Sequence, residues 1–343
     1  MTAYFIRRFL LIVPTFIGIT LLVFAVTRVV PGGPIERMMT ASLVSGDQAG
    51  KVQRDTQSGS TLSADQIAQL EAYYGFDKPV LESYALWLGK VITLDLGESS
   101  RYQDPVWQII KERFPVSIFY GLTTLILTYL ICIPLGVAKA LGHNSLFDNA
   151  SSALVFLGYA LPSYVVGIAL VGLFAAHWDI FPLGGFVSDH YDDLNTWGKL
   201  KDIFYHGALP LIAYMAGSFA LTTFMMKNAL MDNQAADYMR TAAAKGLMRK
   251  TAVWRHAFRN SLIPIATSFG SNIAFFMGGS FLIETIFNID GIGLLGYEAI
   301  LERDYPVVMG ILVITSLLFL IGNIISDFLV AMVDPRIRFG EAR

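Results

Sequence analysis

One cysteine, Cys132, stands in a chain of 343 residues, and it falls inside an apolar run. No intrachain disulfide can form, and the thiol content points to no compartment. Charge is scarce as well: Asp, Glu, Lys and Arg make up 15% of residues against 54% hydrophobic, with a mean hydropathy of +0.54. The net charge of −2 is the sum of opposed local imbalances, so it carries no footprint of a nucleic-acid partner. No G-x-x-x-x-G-K-[ST] run is present to cradle nucleotide phosphates, and neither G-x-S-x-G nor H-E-x-x-H occurs. The five histidines, at 143, 177, 190, 206 and 256, lack the spacing of metal ligands. These absences argue against an enzyme and against a metal or cofactor site in the chain. No internal repeat is evident.

What is abundant is long apolar sequence, in runs of the roughly 20 residues that a helix needs to cross a bilayer. Six spans are expected, at Phe9 to Val30, Val116 to Leu141, Ala150 to Ala176, Ala208 to Met226, Leu262 to Ile286 and Val307 to Val333. All must be helical, because lipid offers the backbone no other partner. The fold class is therefore an all-α polytopic membrane protein. Prolines 134, 162 and 210 fall in or near spans and predict kinks. Arg7 and Arg8 precede the first span as in a signal peptide, but the apolar stretch is too long and no A-x-A-like site follows before Pro31, so it reads as an uncleaved helix.

Basic residues in the shorter loops give the orientation. Between spans four and five lie Lys227, Arg240, Lys245, Arg249, Lys250, Arg255 and Arg259 against Asp232 and Asp237, which places that loop in the cytoplasm. The loop His177 to His206 has Lys199 and Lys201 against five aspartates, and Phe287 to Pro306 has Arg303 against four acids, so both face outward. Both termini are then cytoplasmic, with Arg336, Arg338 and Arg343 in the tail. The turn His143 to Asp148 carries no Lys or Arg and adds nothing to this argument.

The domains expected are 1–30 as cytoplasmic end and first span, 31–115 as an outer segment, 116–333 as a five-helix core with a cytoplasmic loop 227–261, and 334–343 as a cytoplasmic tail. In the outer segment Thr40 to Ser63 is polar and reads as a mobile insert. From Leu62 to Leu96 apolar residues recur near helical spacing and predict a small helical subdomain. Lys139, Glu284 and Asp327 lie near span ends, where snorkelling or helix capping accounts for them. A proton-coupled carrier loses support for want of mid-span carboxylates.

A polar helix is expected at Asp237 to Gly246, lodged between apolar spans. Asp237 would cap its start, Lys245 would sit in its last turn, and Gly246 just past its end. Thr241 to Ala244 offers small side chains. So short a helix is marginal alone, and docking on a partner is the natural way to stabilise it.

Arg240-Thr241-Ala242, Ala244-Lys245-Gly246, Arg255-His256-Ala257 and Arg259-Asn260-Ser261-Leu262-Ile263-Pro264 together resemble the cytoplasmic signature of binding-protein-dependent ABC importer permeases. The match is nearest to B-type subunits of the dipeptide, oligopeptide and nickel class. It runs over nearly the whole chain through Tyr74-Gly75-Phe76-Asp77-Lys78-Pro79, Asp95-Leu96-Gly97 with Ser99, Pro134-Leu135-Gly136, Leu161-Pro162-Ser163, Arg303-Asp304-Tyr305-Pro306 and Asp334-Pro335-Arg336. The sequence departs from the pattern in three places. Arg240 and Thr241 stand where Glu and Ala would fall, Asp290-Gly291 replaces Pro-Gly after the fifth span, and the Thr40 to Ser63 piece is long, like that of the variant importing microcin C and related oligopeptides.

The resemblance implies a type I importer permease fold in the bacterial inner membrane and half of a translocation pathway for peptides, or for nickel or another small solute. It implies a second homologous permease, two ATP-binding subunits or one fused tandem ATPase, and a periplasmic substrate-binding protein; ATP and Mg would act in those ATPase subunits, with no cofactor in this chain. Coupling to the ATPase would map onto Asp237, Tyr238, Arg240, Thr241, Ala242, Ala243, Ala244, Lys245 and Gly246, with the three alanines permitting close approach. The binding protein would dock around Asp290, Gly291, Gly293, Asp304 and Tyr305. Pathway candidates are Ser163, Tyr164, Ser218, Thr222, Ser268, Asn272 and Ser280, although small and hydroxyl residues also serve plain helix packing. A self-sufficient secondary transporter or a pore-less membrane assembly subunit remain the readings from other classes.

Overall fold

A computed structural model describes residues 2–29 and 78–333. The Thr40 to Ser63 insert, the expected helical positions before residue 78, Tyr74 to Asp77, and the tail from Asp334 lie outside the described residues. The described helices are α1 (Thr2–Val29), α2 (Val80–Ile92), α3 (Val106–Leu141), α4 (Leu146–Ala160), α5 (Ser163–Leu170, followed by a π-helical turn Val171–His177), α6 (Thr196–Ala235) and α7 (Asp237–Ala244). After them come α8 (Arg249–Ala252), a π-helical turn (Val253–Ala257), α9 (Phe258–Ser261), α10 (Ile263–Met277), α11 (Phe281–Ile286), α12 (Ile292–Leu301) and α13 (Tyr305–Val333). Among the described residues the only strand-like pairing is one bridge, Glu98 with Pro105.

Among the described residues five stretches are long and apolar enough to cross a membrane, and the pair Leu146–Ala160 and Ser163–His177 makes a sixth if counted as one span. That pair is bent by 97°, so the continuous third span expected from the sequence is in fact broken. The cause is local. Pro162 has no N–H to give, and Leu161 before it sits in the extended region at φ −93°, ψ 130°. The helix assignments run straight through Pro134 and Pro210. The fifth expected span likewise stops at Met277 and restarts at Phe281, across Gly278, Gly279 and Ser280. With 36 residues α3 measures about 54 Å at 1.5 Å per residue, longer than the hydrocarbon layer, so its ends extend beyond it.

Two compact units are present: one of Met1–Val13, Arg113–Leu295 and Thr315–Arg343, the other of Pro14–Glu112 and Gly296–Ile314. In the first, α6 is the central helix, touching α4, α5, α9, α10 and α11. Caps fix where the helices begin. The Ser145 hydroxyl accepts from Asp148 N–H at the start of α4, and the Asn195 side chain accepts from Gly198 N–H at the start of α6. One cluster gathers Tyr120, Leu209, Ala213, Tyr214, Ile283 and Phe287. Another gathers Val137, Ala140, Met226, Leu230, Ala252, Val253 and Ile265 around the C-terminal ends of α3 and α6. Helices α10 and α13 meet backbone to backbone: a Cβ on Gly322 would fall 2.6 Å from the Gly270 carbonyl oxygen. Large apolar side chains such as Phe9, Leu10, Leu154 and Leu157 remain exposed, as a hydrocarbon solvent requires.

In the second unit, Phe24 of α1 packs on Tyr84 and Trp87 of α2, and the Thr20 and Tyr84 hydroxyls lie 2.8 Å apart. Tyr84 also donates to Ile17 O. This ties α2 to the C-terminal half of α1.

Candidate functional site

The helix α7 forms where expected, with a two-faced surface. Its N-cap is Ala236, in extended conformation and without a side-chain hydrogen bond, so Asp237 is the first helical residue rather than the cap. There its charge still favours the helix N-terminus, and its carboxylate lies 3.4 Å from the exposed Arg240 guanidinium. Lys245 is the C-cap residue, one place beyond the last turn in which it was expected. The close is a Schellman motif: Gly246 N–H donates to Ala243 O and Leu247 N–H to Ala242 O. Gly246 has φ +83°, which a side-chain-bearing residue adopts only with strain.

Met239 and Ala242, one turn apart, are buried in the cluster of Val137, Ala140, Met226 and Leu230. Leu247 packs against the same cluster. Ala242 therefore does not offer its methyl to a partner, because the i, i+3 spacing turns it with Met239 toward the body of the protein. Asp237, Tyr238, Arg240, Thr241, Ala243, Ala244 and Lys245 form the exposed face. The Tyr238 hydroxyl donates to Asn233 Oδ1 at 2.6 Å. The following segment is amphipathic: Ala252, Val253 and Ala257 are buried, while Arg249, Lys250, Trp254 and Arg255 are exposed. Arg259 donates to the carbonyls of Met332 and Val333, capping the end of α13.

The pathway candidates are spread over helices that touch one another. Ser163 and Tyr164 begin α5, Ser218 and Thr222 lie on α6, Ser268 and Asn272 on α10, and Ser280 precedes α11. Ser218 donates to Met215 O, Ser268 to Ile265 O, and Asn272 to the Tyr129 hydroxyl. Thr222 is buried and Tyr164 exposed. Local satisfaction accounts for Ser218 and Ser268, whose hydroxyls bond carbonyls of their own helices.

Of the expected docking residues, Asp290 is exposed and pairs with Arg113 at 2.6 Å. Gly291 and Gly293 instead make room for a buried carboxylate: a Cβ on Gly291 would meet the Glu284 carboxylate at 2.6–2.8 Å. Asp304 is 1% exposed, and in the second unit it accepts from the Ser99 hydroxyl, Ser100 N–H and Arg101 N–H. Shut away among donors of the chain itself, Asp304 is an internal tie and not a docking contact. Tyr305, half-buried, starts α13.

Two buried ionic groups escaped the sequence reading. Glu284 is 2% exposed and accepts from Tyr214 O–H, Ser280 N–H and Leu294 N–H. Lys139 is fully buried and reaches not the interface but Asp148, which Lys227 also binds. Snorkelling thus describes neither Lys139 nor Glu284. The available signal was Asp148, a lone acid in a turn with no basic residue to answer it. Asp327 does lie near a span end, paired with Arg8. Among the described residues no cluster of His, Cys, Asp and Glu is placed to hold a metal ion.

A bundle of membrane-length helices with a short polar helix displayed outside the spans defines the class, a multi-pass membrane transport subunit. The model of the family described as binding-protein-dependent transport system inner membrane component matches residues 132–339, and the chain belongs to that family. It has the type I importer permease fold and resides in the inner membrane as a multi-pass protein. Similar proteins include the peptidoglycan transport system permease protein YejB of Agrobacterium fabrum, 40% identical with 99% of each chain covered. The inner membrane ABC transporter permease protein YejB of Escherichia coli O157:H7 is 38% identical, again over 99% of each chain. The dipeptide transport system permease protein DppB of Escherichia coli K12 is 33% identical, over 98% of this chain and 99% of its own.

Proposed function

We propose that the chain is a permease subunit of an ATP-driven importer of peptides or peptide-bearing solutes. The observation that carries this is likeness over 99% of the chain to relatives named for peptidoglycan and ABC transport, joined to an α7 whose polar face is exposed among the described residues. A second permease of similar fold completes the pathway, and ATP with Mg acts in separate ATPase subunits. A periplasmic binding protein delivers the solute to the outward loops. Both termini face the cytoplasm, following the basic residues of the α6 to α10 connection. Microcin C and related oligopeptides are the substrates favoured within the class.

The mechanism follows from the two faces of α7. Asp237, Tyr238, Arg240, Thr241, Ala243, Ala244 and Lys245 dock in a groove on the ATPase, where Ala243 and Ala244 permit close approach. Met239 and Ala242 weld the same helix to the inner ends of α3 and α6. Close-packed interiors transmit displacement rather than absorb it, so motion of the ATPase groove reaches the spans. The test is ATP-driven uptake of a labelled oligopeptide by the reconstituted complex. Ala243→Trp should abolish uptake and co-purification of the ATPase while the chain still inserts in the membrane. Normal uptake with that substitution would refute the assignment of the coupling face.

A further inference from the structure

Lys139, Asp148 and Lys227 come from α3, α4 and α6 and meet as buried charged groups where the three helices converge. Lys227 Nζ lies 2.8 Å from each Asp148 carboxylate oxygen. Lys139 Nζ donates to Asp148 O at 2.8 Å, Ser151 Oγ at 2.9 Å and Ser152 Oγ at 2.7 Å, and lies 3.1 Å from Asp148 Oδ1. Both serine hydroxyls donate back to their own helix, to Phe147 O and Asp148 O, which leaves their lone pairs aimed at Lys139. Asn144 N–H donates to the carboxylate, His143 Nδ1 stands 3.4 Å from it, and the Phe224 ring of α6 lies 5.4 Å from Lys139 Nζ.

Two ammonium groups thus share one carboxylate. An excess buried charge is costly, and packed apolar side chains in its place are often as stable or more so. Stability alone does not account for Lys139. Position does. Val137 and Ala140 flank Lys139, and Met226 and Leu230 flank Lys227, and these four line the seat that receives Met239 and Ala242 of α7. Close apolar packing carries displacement from one helix to the next, and charge-assisted hydrogen bonds add a fixed distance and direction.

We propose that Lys139, Asp148 and Lys227 form a clamp that locks α3, α4 and α6 beneath α7, with Lys139 a positioning residue for coupling ATP hydrolysis to transport. The inference rests on the function proposed above. With Lys139 in place, displacement of α7 moves the three helices as one block; without it, α3 slips and the stroke is lost.

The assembled complex in proteoliposomes tests this, with ATP hydrolysis and peptide uptake read from the same vesicles. Lys139→Met, and separately the double variant Ser151→Ala/Ser152→Ala, should each lower peptide moved per ATP by about five-fold. The peptide concentration for half-maximal uptake should not change in either variant, and the serine variant, which leaves Lys139 short of two acceptors, should also lower the thermal midpoint. Adding Met239→Ala to Lys139→Met should cost less than the two separate losses combined, as for residues in one network. Unchanged peptide per ATP in both variants overturns the clamp, as does equal loss of uptake and hydrolysis alongside a lowered midpoint. If Lys139→Met does not assemble, the serine variant decides. A wild-type complex without ATP-driven uptake would refute the proposed function itself, a result distinct from failure of the clamp.

Discussion

Glu284 holds its surroundings together by what it accepts. Its carboxylate takes Leu294 N–H at 2.6 Å, Tyr214 O–H at 3.1 Å and Ser280 N–H at 3.2 Å, so the break before α11 and the start of α12 converge on one side chain. Gly279, at φ +75°, and Gly291 leave the space it fills. Glu284→Gln keeps the shape but turns an amide donor toward a donor, and should cost about 1–3 kcal/mol, the penalty of an unsatisfied buried polar group. Thermal unfolding of the purified protein reads this directly, and an unchanged midpoint would remove the hydrogen-bond account. From the sequence, Glu284 was only an acid near the end of a span, because its partners lie 10 and 70 positions away. Asp304 was mistaken for a surface group for the same reason: its donors, Ser99, Ser100 and Arg101, come from a segment some two hundred positions earlier.

At the scale of elements, the position of α7 was legible to within one residue at each end because it depends on neighbours in the chain: an alanine-rich run, a glycine after it and an acid in its first turn. Which alanine faces inward was not, since that depends on what lies beneath the helix. Ala242→Leu should overpack the cluster around Met226 and Leu230 and lower stability by about 1–3 kcal/mol. Ala243→Leu, one position along on the exposed face, should stay within about 0.5 kcal/mol. Equal effects of the two on the thermal midpoint would contradict the two-faced reading. The bend between α4 and α5 shows a similar division. Pro162 announced a disturbance, but an angle of 97° rather than a mild kink required that neighbouring helices receive both arms, as α6 does.

For the whole molecule, the orientation proposed from the basic loops can be tested by thiol accessibility, since Cys132 is fully buried and contributes little background. A cysteine at Lys250 should react with a membrane-impermeant maleimide only from the cytoplasmic side, and one at Asp192 only from the outside. The reverse pattern would invert the topology. The amino-acid sequence by itself determined the class: apolar length selects membrane helices, and one polar helix between apolar spans, with the basic motifs around it, marks the permease family. Those properties are local, set by composition and short spacing. Only the tertiary structure decided how the few ionisable groups inside the bundle are answered. Lys139 and Asp148 are nine positions apart and Lys227 lies 79 from Asp148, and burying charge is tolerable only where such partners converge in space. Periodicity reports which face of a helix is apolar, whereas the pairing of a buried charge is settled by packing between helices distant in the chain.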